Sequence, residues 1–133
     1  MLGLFGKGSK DPDTTNIKQK KKELKKLVKD KKYDEAIRKG NEILKKIPHE
    51  NDVLFILGGI YYMKNKHLSA ISYFEKSLEI ATFDTQVLIL KGNSHYNLGQ
   101  LEKAIECCNK IKELDPKNKG VQELELKIDS AKN

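Results

Sequence analysis

The chain has 133 residues, of which 34% are charged and 38% hydrophobic, and its formal net charge is +7. This length suits one domain with a modest core, and no apolar run approaches the ~20 residues that a bilayer-spanning helix needs. The two cysteines, Cys107 and Cys108, are adjacent, which excludes a disulfide scaffold and favours a reducing, cytoplasmic compartment. Helix-forming residues dominate and only three prolines occur, so an all-α protein is predicted.

The positive charge is concentrated in the first part of the sequence. Residues 1–50 hold 15 Lys or Arg against 8 Asp or Glu, whereas residues 51–133 hold 11 against 11. Such asymmetry is typical of a chain with an acidic partner, and it is equally typical of a solvated lysine-rich helix face.

Residues 1–16 are rich in glycine, aspartate, threonine and serine without a sustained period, so we predict a flexible N-terminal tail. Its apolar tip, Leu2, Leu4 and Phe5, is too short for the apolar core of a secretory signal peptide. The tip is either a weak anchor or an ordinary chain start. Residues 14–16 offer side-chain oxygens that can cap a helix starting near Ile17.

Residues 17–50 predict a helical pair. Leu24, Leu27 and Val28 form one apolar stripe, and Tyr33 to Ile37, with the sequence YDEAI, open a second helix that stops before Pro48. Residues 51–84 predict another pair that carries more apolar and aromatic side chains.

Residues 85–118 give the clearest pair of helices. Gly99 suits the left-handed position after the first helix, and Asp115-Pro116 ends the second. Gly92 and Ala104 are small residues on the two inner faces, where they allow close approach of the helix axes.

Residues 119–133 predict a last helix without a partner after it. Val121, Leu124, Ile128 and Ala131 lie on one stripe. Because a helical repeat needs a final helix with a polar outer face, we interpret this segment as a capping helix rather than a binding element.

The same pattern recurs every 34 residues. Ala36, Ala70 and Ala104 are spaced by this period, and so are Gly58 and Gly92. This pattern resembles the tetratricopeptide repeat (TPR), a family whose helical pairs stack into an α-α superhelix. The resemblance implies one TPR domain over residues 17–133, with repeats 17–50, 51–84 and 85–118 and the capping helix 119–133.

The first repeat departs most from the family pattern. Leu24 stands where glycine is usual, and Gly40 stands where an aromatic residue is usual. Lys20 and Glu23 also occupy usually apolar places. From these departures we expect looser pairing of the first two helices.

In TPR proteins the first helix of each repeat lines a concave groove, and its lining positions can be transferred to this sequence. The predicted groove is basic in the first repeat and apolar or aromatic in the second, and asparagines that can bind a peptide backbone follow in the third. The predicted partner-binding residues are Lys18, Lys21, Lys22, Lys25, Phe55, Tyr62, Met63, Ile89, Asn93, Tyr96 and Asn97. Phe55 and Ile89 are alternatively core residues between neighbouring repeats.

The resemblance implies a protein-protein interaction scaffold or adaptor that binds a peptide or helix of a partner. An acidic and apolar segment would complement the predicted groove. One TPR subtype grips the C-terminal carboxylate of chaperone tails with five lysine, asparagine or arginine side chains. Only Lys21 fits that set, since the other four places hold Lys25, Ile56, Gln86 and Leu90, so chaperone-tail binding is not favoured.

Two alternatives remain open. The lysine-rich first helix could bind nucleic acid or an anionic membrane, although no aromatic residue is interleaved among its lysines for base stacking. The chain could also be a homo-oligomeric structural protein. We expect no enzyme and no cofactor, because no phosphate-binding loop or catalytic triad motif is present and the three histidines are isolated.

Overall fold

The computed structural model describes residues 12–133, which form helices and no strands. The seven helices are α1 (Pro12–Lys29), α2 (Tyr33–Lys46), α3 (Asn51–Met63), α4 (His67–Ile80), α5 (Thr85–Asn97), α6 (Leu101–Leu114) and α7 (Lys119–Lys132). The all-α prediction is confirmed. The chain divides into a first compact unit that ends at Val53 and a second unit, Leu54–Asn133, so that the boundary falls inside α3.

The first helix begins earlier than the sequence indicated. We expected a tail through residue 16 and a helix from Ile17, but α1 starts at Pro12. Proline suits the first turn of a helix because its fixed φ angle is already helical and its missing N–H would have no partner there. Residues 12–16 therefore belong to α1, and the apolar tip Leu2 to Phe5 lies outside the described residues.

The 34-residue period is visible in the backbone as well as in the sequence. Lys31, Asn65 and Gly99, each 34 residues apart, have positive φ angles of 59°, 60° and 77° at the turn inside each helix pair. Glycine at this turn was predicted only for Gly99, and the structure confirms its left-handed conformation. The other two turns adopt the same conformation with lysine and asparagine, because the chain reversal between the helices requires it.

A side-chain cap also recurs with the 34-residue period, at the starts of α5 and α7. The Asp84 side chain accepts hydrogen bonds from the backbone N–H groups of Gln86 and Val87, at 3.0 and 3.3 Å. One period later, the Asn118 side chain accepts from Val121 N–H at 3.1 Å. These caps satisfy N–H groups that the first turn of a helix cannot pair.

In the first unit, α1 and α2 pack against each other through buried residues. Leu24, Ala36 and Ile43 are fully buried, and Gly40 is buried with them. The large residue stands on the first helix and the small one on the second, the reverse of the usual order. The two departures from the family pattern therefore change side-chain volume in opposite directions.

In the second unit, the small residues permit close helix contacts. A Cβ atom on Gly58 would lie 2.5 Å from the Phe74 ring, and one on Gly92 would lie 2.8 Å from Leu124 and 3.2 Å from the Cys107 Cβ. The two distances below 3.0 Å are too short for real side chains, and the distance of 3.2 Å is tight. Gly92 therefore allows α5 to approach both α6 and α7.

The last helix, α7, packs against the third helix pair. Val121, Leu124 and Ile128 are buried together with α5 and α6 residues such as Leu88 and Ile111. Ala131, which we placed on the same stripe, is exposed because it lies in the final turn of α7.

Candidate functional site

The predicted lysines of the first unit surround a cavity of about 410 Å³. The lining includes Ile47, which is exposed, Ile17, which is nearly buried and offers little apolar surface, and the carboxylate of Glu50. The α1 helix presents the lysines together because they lie one turn apart or adjacent on one helical face. The four predicted lysines line the cavity: Lys18, Lys21, Lys22 and Lys25.

Lys21 is already neutralised within the first unit. Its ammonium group donates hydrogen bonds to Glu50 and Asp52, each at 3.0 Å. The bond to Glu50 is the main cause that raises the pKa of Lys21, and the bond to Asp52 adds to it. Lys21 therefore positions the start of α3 and contributes little free positive charge to the cavity.

Lys18, Lys22 and Lys25 keep their charges available. All three side chains are exposed, and none takes part in the ion pairs found within the described part of the chain. Lys20 is different, since it lies 3.9 Å from Glu42 of α2. These three residues therefore bring free positive charge to the lining of the cavity.

The predicted aromatic residues of the second unit are partly core and partly surface. Phe55 packs on Phe74, with 6.5 Å between the ring centroids. Tyr62 contacts His67 edge-on, with 5.3 Å between the ring centroids. Both are half-buried, whereas Met63 is 52% exposed. Phe55 therefore follows the core alternative more than the binding one.

Three of the four predicted residues of the third repeat, Ile89, Asn93 and Tyr96, contact α7. Ile89 packs against the buried cluster, and a Cβ atom on Gly120 would lie 2.6 Å from its Cδ1 atom. Asn93 donates its amide to the Ile89 carbonyl at 2.9 Å and accepts a hydrogen bond from the Lys127 ammonium at 3.2 Å. Asn97 is exposed. The amide of Asn93 therefore has partners already.

Tyr96 forms a second contact with the same lysine. The Lys127 Nζ atom lies 5.7 Å from the centroid of the Tyr96 ring. An ammonium group at this distance is attracted by the negative face of the ring. Lys127 thus joins Asn93 and Tyr96 in one surface cluster.

The sequence interpretation missed three residues of these surfaces: Ile17, Ile47 and Lys127. Ile47 precedes Pro48 and was assigned only to a helix end. Lys127 carried an available signal, since it follows Asn93 by 34 residues and so occupies the same place in the repeat.

The two buried cysteines, Cys107 and Cys108, form no disulfide within the described residues. Both cysteines are free, and burial raises the pKa of Cys107 and raises that of Cys108 to about 11. A protonated buried thiol is a weak nucleophile. Elsewhere in the described chain, no group of three or more histidine, cysteine, aspartate or glutamate side chains is placed to hold a metal ion.

No helix from residue 12 onward has both the length and the apolar character needed to cross a bilayer. Comparison with protein families then gives two matches to the tetratricopeptide repeat, at residues 52–83 and 85–118. The chain is a tetratricopeptide repeat protein. Of the residues quoted above for the 34-residue period, Ala70, Ala104, Gly58 and Gly92 lie inside these two matches, and Ala36 lies outside them. The prediction of a TPR protein with several repeats is confirmed.

Solved structures of TPR domains share the fold over most of this TPR chain. The first TPR of Spaghetti (RPAP3) bound to the HSP90 peptide SRMEEVD is 23% identical, with a TM-score of 0.79 over 86% of this chain and 91% of that one. The TPR2B domain of yeast Sti1 in complex with pHsp70 is 15% identical, with a TM-score of 0.77 over 88% and 98%. The TPR domain of Arabidopsis OM64 is 15% identical, with a TM-score of 0.78 over 86% and 95%.

These likenesses confirm the all-α helical-repeat fold of the TPR chain. No curated protein matches the chain by sequence.

Proposed function

We propose that this TPR chain is a protein-interaction scaffold that binds an acidic and apolar peptide or helix of a partner protein. The observation that carries the proposal is the cavity of the first unit, where Lys18, Lys22 and Lys25 adjoin the apolar surface of Ile47. In the second unit, Tyr62, Met63 and Asn97 offer further contact surface. A cytoplasmic location, suggested by the free cysteines, belongs to the same proposal.

The cavity combines the two interactions that recognise such a segment. An apolar side chain of the partner would gain about 25 cal/mol for each Å² that it buries against Ile47. Partner carboxylates would gain about 1 kcal/mol or less in each exposed ion pair, so the lysines supply selection and orientation more than affinity. An acidic segment without an apolar anchor would therefore bind weakly.

Two of the similar structures hold chaperone peptides or complexes, and this supports a peptide as the type of ligand. The five-residue carboxylate grip of chaperone-tail binders is not reproduced here. Lys21 is its one matching residue, and its charge is paired with Glu50 and Asp52. The proposed ligand is therefore an acidic segment that the lysines beside Lys21 select, rather than a chaperone tail.

The ion pairs of α1 also argue against the broader basic-surface alternatives. Lys20 and Lys21 are paired with Glu42, Glu50 and Asp52. The run of three lysines at positions 20–22 thus presents one free charge, so this run adds little to a surface that could bind phosphate backbones or an anionic membrane.

Selection from random dodecapeptides displayed on phage tests the proposal with the full chain. We expect acidic peptides that contain at least one large apolar residue. A synthetic copy of a selected peptide should bind the double variant Lys22→Glu/Lys25→Glu roughly tenfold or more weakly, because two attractions become repulsions. Fluorescence anisotropy measures the affinity.

The matched control is Lys110→Glu/Lys117→Glu, which changes two exposed lysines of the second unit and gives the same net charge. Its affinity should stay within about twofold of the unchanged chain. Thermal unfolding confirms that both variants remain folded. Selection of no peptides, or equal weakening by the two double variants, would contradict the proposal.

A further inference from the structure

The last helix, α7, carries a positive charge onto the face of α5 that the sequence assigned to partner binding. The Lys127 Nζ atom lies 3.2 Å from the Asn93 Oδ1 atom and 5.7 Å from the centre of the Tyr96 ring. Both partners were predicted binding residues, whereas α7 was expected only to cap the repeat. The contact therefore joins the capping helix to that surface.

The two contacts fix the ammonium group without neutralising it. An ammonium group has three N–H donors, and Asn93 accepts from one of them. The tyrosine ring attracts the charge but takes no proton, so donors remain for a further acceptor. Since the side chain is exposed, these donors can meet a ligand from solvent.

The charged groups around Lys127 leave its ammonium available. On α7, Glu125 pairs with Lys112 of α6 at 2.9 Å. Glu123 lies one turn before Lys127 on the same helix, yet no ion pair of Lys127 occurs in the described part of the chain. An oriented cation without a carboxylate partner is electrostatically complementary to a carboxylate from outside.

We infer that Lys127 is a partner-binding residue, and that α7 receives a carboxylate of an acidic segment from another protein. This inference rests on the proposed function and adds a second point of charge recognition, located in the second unit. Asn93 acts as a positioning residue, because its amide is held by the Ile89 carbonyl and in turn holds the lysine.

Preorganisation explains why this lysine should matter more than other exposed lysines. A free lysine side chain loses rotamer entropy when a ligand fixes it. Lys127 has lost part of that freedom before the ligand arrives, so its ion pair has a smaller entropic cost.

A charge-exchange experiment tests the inference. Peptides selected by the unchanged chain from the phage library are synthesised, and their binding is compared for Lys127→Glu, Lys127→Gln and Lys132→Glu. Lys132 is an exposed lysine of the same helix and serves as the matched control. We expect Lys127→Glu to weaken binding about tenfold, Lys127→Gln less, and Lys132→Glu by no more than about twofold.

The peptide is then changed in turn, with each acidic residue replaced by lysine. One such replacement should weaken binding to the unchanged chain and restore binding to Lys127→Glu. A role of Lys127 in folding alone could not produce this reciprocal restoration. Circular dichroism and thermal unfolding verify that the variants are folded.

The outcomes separate the two proposals. If peptides bind through Lys22 and Lys25 but are indifferent to Lys127→Glu, the inference about Lys127 is wrong and the proposed function stands. If no replacement restores binding to Lys127→Glu, the inference is also wrong. If the unchanged chain selects no peptides, the proposed function fails and the inference fails with it.

Discussion

Two residues of this chain occupy a backbone conformation that usually requires glycine. Lys31 and Asn65 have φ angles of 59° and 60°, at the places that correspond to Gly99 with 77°. A residue with a Cβ atom pays about 1–2 kcal/mol in the left-handed region, and asparagine is better tolerated there than lysine. Lys31 is therefore the most strained of the three turns by residue type.

Replacement of this lysine by glycine should stabilise the protein. Lys31→Gly removes the Cβ clash, and the entropy of glycine in the unfolded chain offsets part of the gain, so we expect up to about 1 kcal/mol of added stability. The free energy of unfolding in urea measures it. The matched control is Lys32→Gly, where φ is −89° and glycine should destabilise. Equal changes in the free energy of unfolding for Lys31→Gly and Lys32→Gly would contradict backbone strain at Lys31.

At the scale of helix pairs, the sequence identified the repeat but not how the two departures of the first copy are related. The sequence predicts the 34-residue period, the turn at Gly99 and the close helix approach at Gly92 and Ala104, because each of these depends on local spacing. Leu24 and Gly40 looked like two separate defects, because a pattern compared one position at a time gives no account of paired volumes. The structure places both in one buried helix pair.

The candidate surfaces were predictable to a similar degree. Lys18, Lys22 and Lys25 share a helical face, which sequence spacing reveals, and they do line one cavity. That Lys21 is neutralised depends on Glu50 and Asp52, which are 29 and 31 residues away. Long-range side-chain contacts of this kind, like that between Lys127 and Asn93, follow from packing and not from a local pattern.

The exchanged volumes in the first repeat lead to a prediction about coupling. In the second repeat, a Cβ atom on Gly58 would lie 2.5 Å from the Phe74 ring, and one period earlier these positions are Leu24 and Gly40. Leu24→Ala should cost about 2–5 kcal/mol by leaving a cavity, and Gly40→Leu about 1–3 kcal/mol by overfilling the core.

The double variant Leu24→Ala/Gly40→Leu should lose less stability than the sum of the two single losses, by about 1 kcal/mol or more, because the added side chain fills the vacated space. Thermal and urea unfolding of the four chains measure the coupling energy. Simple addition of the single losses would show that the two residues do not share one volume.

At the scale of the whole molecule, the uneven charge matters more than the net charge. The excess of Lys and Arg lies in residues 1–50, where 15 basic residues face 8 acidic ones. Some of these basic residues, such as Lys20, Lys21 and Lys39, form ion pairs within the chain. The remainder, which includes Lys18, Lys22 and Lys25, creates a local positive potential that would attract the proposed acidic ligand before contact.

Such a potential acts mainly on the rate of association, so the proposed function predicts a particular salt dependence. The Debye length falls from about 10 Å at 0.1 M salt to about 3 Å at 1 M, which screens long-range attraction but changes short contacts less. We expect the association rate constant of a selected acidic peptide to fall about tenfold over this range, with a smaller change in the dissociation rate constant. Stopped-flow fluorescence measures the two rate constants separately.

Two double variants serve as the test and its control. In Lys22→Glu/Lys25→Glu the salt dependence of the association rate constant should flatten, whereas Lys110→Glu/Lys117→Glu should retain it. An association rate that salt leaves unchanged in the unaltered chain would mean that apolar contact alone selects the ligand, and that the basic first helix is only a solvated face.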